Sequence, residues 1–157
     1  MTTKVLFVCL GNICRSPMAE GMFQYLVDAG EISAKYMVRS AGTASWHIGA
    51  LPDPRMRRIA RRHNIELTSR ARQFRIEDFD RFDVIVAMDR QNRDDLVRLA
   101  RSEIDCQKIH LMREYDNEAE GNLDVPDPYY SGRNGFESVY QIIRISSQNF
   151  LQRLETT

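Results

Sequence analysis

Short apolar runs of strand length alternate with amphipathic stretches at helical spacing from one end of this chain to the other. Val5 to Val8 is an unbroken apolar run, bounded by Lys4 and by a Gly-Asn turn signal, and reads as a buried strand. Pro17 then opens a stretch in which Met18, Met22, Phe23, Leu26 and Val27 fall at helical spacing, and Gly30 ends it. Met37 to Ser40 reads as a second strand. Asp53-Pro54 reads as an N-cap with Pro at the first helical position, opening a helix to about His63. Asp83 to Met88 is the next strand, Asn92 to Arg101 a further helix, and Lys108 to Met112 a weaker strand. Residues 116–135 are polar and rich in Asp, Pro and Gly, which predicts a long loop of the functional kind. Phe136 to Leu154 closes the chain as a helix, with Phe136, Val139, Tyr140, Ile143, Phe150 and Leu154 on one face.

This alternation predicts an α/β fold in which a parallel sheet is covered by helices on both faces. Ligands of such sheets bind beyond the carboxyl ends of the strands. The 157 residues suffice for one domain, 1–157. Basic and acidic residues balance at 22 each, which argues against nucleic-acid or membrane-surface binding by bulk charge. No apolar run reaches membrane-spanning length, and the one near the start is too short for a secretory signal. Three Cys without framework spacing point to a reducing, cytoplasmic setting. The basic residues are 19 Arg and only 3 Lys, a skew that base composition explains and that becomes functional only through a particular Arg in a particular place.

The loop after the first strand reads Cys9-Leu10-Gly11-Asn12-Ile13-Cys14-Arg15-Ser16-Pro17. With 3 Cys and 19 Arg, a Cys six positions before an Arg arises by chance roughly 0.4 times in such a chain, and roughly 0.02 times with Ser required next. The physics suits anion chemistry. A strand-to-helix loop aims several unpaired backbone N–H groups at one spot. Gly11 permits, and Asn12 tolerates, a positive φ. Arg15 adds a permanently charged fork that matches two phosphate oxygens. The same surroundings favour a thiolate at Cys9, which makes it a candidate nucleophile. Ser16 is a helix cap, a donor to Cys9 Sγ, or both.

The segment VLFVCLGNICRSPMAE, the later SAGT-x-x-W and the DPYY of residues 127–130 resemble the low-molecular-weight protein tyrosine phosphatases, in the family's order and over nearly the whole chain. The resemblance implies a three-layer, doubly wound four-stranded parallel sheet of order 2-1-3-4. It implies a phosphocysteine intermediate, with no metal or other cofactor. The partner class is then tyrosine-phosphorylated proteins, with no nucleic acid and no membrane insertion, acted on by a monomer or weak dimer.

A phenolate is a poor leaving group unless protonated, so a general acid is required. Two Asp-Pro pairs are available. Asp53 sits directly before a helix and reads as a cap, whereas Asp127 lies in the long loop beside aromatic residues. Position favours Asp127, and the resemblance assigns it the role; its plainer reading is an Asx-turn before Pro128. Asp124 reads as an ordinary loop carboxylate.

By the same resemblance Leu10, Gly11, Asn12, Ile13, Cys14 and Ser16 belong to the substrate and phosphate site. Trp46 and Tyr129 flank the substrate ring, with Tyr130 beside them and Leu10 and Ile13 along the sides. Asn12, Ser16 and Ser40 form a hydrogen-bonded network that holds the loop. Animal members support the Asn with a His, where this chain has Ser69 or Arg70. Cys14 either packs under the loop or pairs with Cys9 under oxidants, as the family does. Cys106 reads as an isolated residue beyond a helix. His47, His63 and His110 show no metal-ligand spacing. The run Arg55, Arg57, Arg58, Arg61 and Arg62 reads as a solvated helix face, with a docking face for acidic phosphoproteins as the alternative. Two rival activities belong to the same fold. An arsenate reductase needs a relay of further cysteines, and only Cys106 lies outside the loop. Protein-arginine phosphatases carry Thr where this chain has Ile13.

Overall fold

The computed structural model describes residues 1–130 and 134–157, with Tyr130 described by its backbone alone. Its strands are β1 (Thr3–Cys9), β2 (Tyr36–Gly42), β3 (Val84–Ala87) and β4 (Ile109–Leu111). They form one parallel sheet in the order β2-β1-β3-β4. The helices are α1 (Arg15–Ala29), α2 (Pro54–Arg62), α3 (Asp78–Arg81), α4 (Arg90–Leu99), α5 (Glu103–Gln107) and α6 (Asn134–Glu155).

β1 is central, hydrogen-bonded to β2 on one side and β3 on the other. From Val5 to Cys9 both of its faces are covered, so that stretch is apolar without alternation. Val5 and Phe7 point into a core shared with α1 and α6, where Phe7, Phe23 and Phe150 meet with ring centroids 5.5–6.3 Å apart. Leu6 and Val8 point the other way, into a second core with Phe79 of α3 and Leu96 of α4. Fixed from both sides, β1 delivers Cys9 to the carboxyl edge of the sheet.

The elements read from the sequence are present with shifted ends. α1 begins at Arg15, two residues before the proline that was expected to open it. Pro17 is the third helical residue, where the backbone N–H has no partner within the helix and its loss costs nothing. α4 spans Arg90–Leu99 because Asp89, not a residue near Asn92, caps it by accepting from Asn92 N at 2.7 Å. Cys106 is not beyond a helix but inside α5. α3 and α5 have four and five residues, too few to show a helical period in sequence. Asp53 caps α2 as expected, accepting from Arg55 N at 2.8 Å.

Candidate active site

The loop from Cys9 to Arg15 closes over the carboxyl end of β1. Asn12 carries the positive φ, +58°, and Gly11 does not. Gly11 is needed for room: a Cβ there would lie 3.0 Å from the His47 ring. Gly42, at the end of β2, is needed more strictly, since a Cβ would come within 2.7 Å of Leu10 O.

One backbone donor sets the polarity of the hydrogen bonds beneath the loop. Arg72 N–H donates to Asn12 Oδ1 at 3.0 Å. A backbone amide can only donate, so the Asn12 side-chain amide has a single orientation. Its Nδ2 therefore donates to Ser16 Oγ at 2.8 Å and to Ser40 Oγ at 3.0 Å. Ser40 passes its own proton to Glu20 Oε1 at 2.5 Å. Ser16 Oγ has Cys9 Sγ at 3.0 Å and Ala41 O at 3.4 Å within reach of its one proton, and toward a Cys9 thiolate, which can only accept, it is the donor. Asn12 N–H adds a second donor to the same sulfur at 3.3 Å. Two donors thus converge on the Cys9 sulfur. Asn12, Ser16 and Ser40 thus come together as expected. Their support is the Arg72 backbone; Arg70 turns away to Gly49 O.

Arg15 is 2% exposed and is aimed by three partners. Its Nη1 donates to Asp89 Oδ2 at 2.6 Å and to Val125 O at 3.0 Å. Its Nη2 lies 3.5 Å from Asp127 Oδ2. Burial alone opposes a charge on Arg15, but Cys9, Asp89 and Asp127 together raise its pKa and keep it ionised.

Asp127 forms the Asx-turn and also lines the cavity. Its Oδ1 accepts from Tyr129 N at 3.0 Å, which is the Asx-turn, and its Oδ2 faces Arg15. The turn fixes the carboxyl group while one oxygen remains at the cavity. Asp124 accepts from Arg90 N at 2.8 Å and pairs with its guanidinium at 3.0 Å, which lowers its pKa and anchors the loop. Arg113 holds the same loop from below through Asp124 O at 3.1 Å.

These groups surround a cavity of about 200 Å³ lined by Cys9, Leu10, Gly11, Ile13, Cys14, Arg15, Trp46, His47, Asp127 and Tyr129. Cys9 is 2% exposed at its base, whereas Trp46 and Tyr129 are 67% and 44% exposed at its rim. Trp46 is therefore a wall residue and not a core anchor. The Tyr130 side chain lies outside the described residues. Burial raises the pKa of the Cys14 thiol, and Asp53, Cys9 and Asp127 push in the same direction, so it stays protonated. All three cysteines are free.

Sequence reasoning missed Asp89, Glu20, His47 and the Arg72 amide. Asp89 had a signal, being an acidic residue at the carboxyl end of a strand and before a helix. His47 is next to Trp46. Among the described residues no group of three His, Cys, Asp or Glu side chains is placed to hold a metal ion. No helix among them is long and apolar enough to cross a membrane.

Residues 4–157 match the family model described as low molecular weight phosphotyrosine protein phosphatase. A low molecular weight protein-tyrosine-phosphatase of Streptomyces coelicolor is 45% identical over 96% of this chain and 93% of its own. A crystal structure of a protein tyrosine phosphatase from Entamoeba histolytica, with Hepes in its active site, superposes with a TM-score of 0.94 at 38% identity, covering 99% of this chain and 98% of its own. A Drosophila arginine phosphatase superposes with a TM-score of 0.90 at 35% identity, covering 97% and 98%.

Proposed function

This chain belongs to the low molecular weight phosphotyrosine protein phosphatase family and is a phosphatase of that type, and from that premise we propose that residues 1–157 act as one domain that hydrolyses phosphotyrosine in proteins through a phosphocysteine. The observation that carries the mechanism is the Cys9 sulfur, which accepts two hydrogen bonds at the base of a cavity that Arg15 and Asp127 also line.

In the first step Cys9 Sγ attacks phosphorus. The Arg15 Nη2 and the loop amides hold the phosphoryl oxygens as their charge develops. Asp89 and Val125 occupy Nη1, so the guanidinium enters the reaction already oriented. The protonated Asp127 carboxyl donates its proton to the departing phenolic oxygen. In the second step the Asp127 carboxylate takes a proton from water as that water attacks phosphorus, and the S–P bond breaks to return the Cys9 thiolate. Asp127 ends the cycle protonated, and the released phosphate carries the remaining charge.

Selection of the aryl group follows from the shape. The nucleophile is buried behind an aromatic rim, so the phosphate must ride on a long, narrow group. Leu10 and Ile13 offer apolar walls to a ring. Likeness to the arginine phosphatase raises a second reading, phosphoarginine. A guanidinium asks for polar partners along its length, and Ile13 provides none. The three free cysteines suit a reducing, cytoplasmic setting. The assay that tests the substrate class compares phosphotyrosine, phosphoserine and phosphoarginine peptides of one sequence. Preferential release of phosphate from phosphotyrosine is expected, and preference for phosphoarginine overturns the reading.

A further inference from the structure

The chain as a whole is electrically balanced, yet one face of the sheet is not. In the β1–β2 register Met37 lies beside Lys4 and Arg39 beside Leu6. Leu6 is covered by the Phe79 and Leu96 core, but over β2 the same face opens into a groove of about 630 Å³. Five of its nine lining residues are cationic, Lys4, Arg39, Arg72, Arg75 and Arg81, and none is acidic. Met37, Ile48 and Phe82 supply an apolar component.

The fold uses little of this charge. Arg72 pairs with Asp78 at 3.0 Å. Asp78 also takes Arg75 N, and Asp83 takes Lys4 N, both backbone donors at 2.8 Å, so these carboxylates leave the Arg75 and Lys4 side chains unneutralised. Arg39 donates to the carbonyl of Val38. Glu20 lies within the electrostatic reach of Arg39 and Arg72 but is committed to Ser40. Among the described residues Lys4, Arg39, Arg75 and Arg81 are exposed and make no ion pair. Two of the α2 arginines, Arg55 and Arg61, are by contrast tied to Asp53 and Glu66.

One short loop contributes to both the groove and the catalytic cavity. Ile48 lines the groove, while Trp46 and His47 line the cavity. We propose that the groove docks an acidic segment of the substrate protein, distal to the phosphotyrosine. This rests on the reading of Cys9 as a phosphotyrosine-directed nucleophile. From Cys9 to Lys4 the strand runs about 17 Å at ~3.3 Å per residue, a span that an extended peptide covers in about five residues. The favoured carboxylates therefore lie roughly four to eight residues from the phosphotyrosine, and not next to it.

The test uses three phosphotyrosine peptides of one length: neutral, acidic at the distal positions, and acidic beside the phosphotyrosine. A small aryl phosphate serves as the control. An exposed ion pair contributes roughly two- to threefold in affinity, so three give about tenfold. The wild type should turn over the distally acidic peptide with a KM about tenfold lower than the neutral one, with kcat unchanged. High salt should erase the difference. The triple variant Arg39→Gln, Arg75→Gln, Arg81→Gln should lose it while hydrolysing the aryl phosphate normally. Equal KM for the distal and neutral peptides overturns the proposal, as does a preference that survives in the triple variant or is matched by the adjacent-acid peptide. The salt arm needs no variant, so misfolding of the triple mutant leaves the test intact. If no phosphotyrosine peptide is turned over, the catalytic reading fails, and direct binding decides the groove. The unphosphorylated acidic peptide should then bind the wild type and not the triple variant. No binding, or binding of tripolyphosphate alone, overturns the proposal.

Discussion

Asn12 concentrates more of the site's structure in one side chain than any other residue. It receives Arg72 N–H, gives both amide hydrogens to Ser16 and Ser40, and sits at φ +58°. Truncation to Gly removes three buried hydrogen bonds without straining the backbone. At about 1 kcal/mol net for each, the loss is about 3 kcal/mol. Asn12→Ala adds about 1 kcal/mol for a Cβ in the left-handed region. Asn12→Asp separates stability from catalysis. It keeps the Arg72 bond and tolerates the φ, but its second oxygen only accepts. Ser16 then turns its proton to the new carboxylate and away from Cys9. A hydrogen bond to a charged group contributes about 1.5–3 kcal/mol, so turnover should fall by about 10- to 100-fold. Urea denaturation of the three variants gives the stabilities, and turnover of a small aryl phosphate gives the rates. If Gly and Ala each cost under about 1 kcal/mol, or if Asp matches the wild-type rate, the relay from Arg72 to Cys9 does not operate.

Asp127→Ala should slow breakdown of phosphotyrosine by about 10²–10⁴-fold, and slow phosphoenzyme formation from an aryl phosphate with a strongly acidic phenol much less; equal slowing of that step for both leaving groups contradicts a proton donor. Asp53→Ala should cost about 0.5–2 kcal/mol as a lost N-cap, with no leaving-group dependence. Burial opposes the Asp53 charge, but hydrogen bonds from Arg55 prevail and lower its pKa. Its contribution is therefore present above the unfolded value of about 3.9 and lost as pH falls below it. The stability gap between wild type and Asp53→Ala should close in acid, as read by melts at a series of pH values. Peroxide should inactivate the enzyme through a Cys9 sulfenic acid that condenses with the Cys14 thiol and releases water. Thiols should restore activity, and Cys14→Ser should retain turnover but recover poorly; a peptide map that joins Cys9 to Cys106 instead rejects that pairing.

The parts of this molecule that sequence reading reaches are those written in side chains with a period or a motif. β1 is legible because burial on both faces forbids polar residues along it, and α6 because its apolar stripe runs for six turns. α3 and α5 are not, since one turn of helix has no period. Within the site, Cys9, Arg15 and Ser16 follow from spacing and from their place between strand and helix. The support of Asn12 does not, because a backbone N–H has the same signature at every residue and only the fold decides which one arrives. Asp89 went unread although it sits where a helix cap belongs, and its second duty, to Arg15, joins residues 74 positions apart. The sheet-face groove escapes for the same reason. Lys4, Arg39, Arg75 and Arg81 are scattered among 19 arginines and 3 lysines until the fold gathers them around one groove.

The covalent step is the centre of this account, and trapping it is the most direct test. Asp127→Ala, mixed rapidly with an activated aryl phosphate and quenched in acid, should carry one phosphoryl group. Peptide mapping by mass spectrometry should place it on Cys9, and Cys9→Ser should release no aryl group under the same conditions. Phosphate found on any other residue, or turnover by Cys9→Ser above a tenth of the wild-type rate, contradicts a phosphocysteine at Cys9.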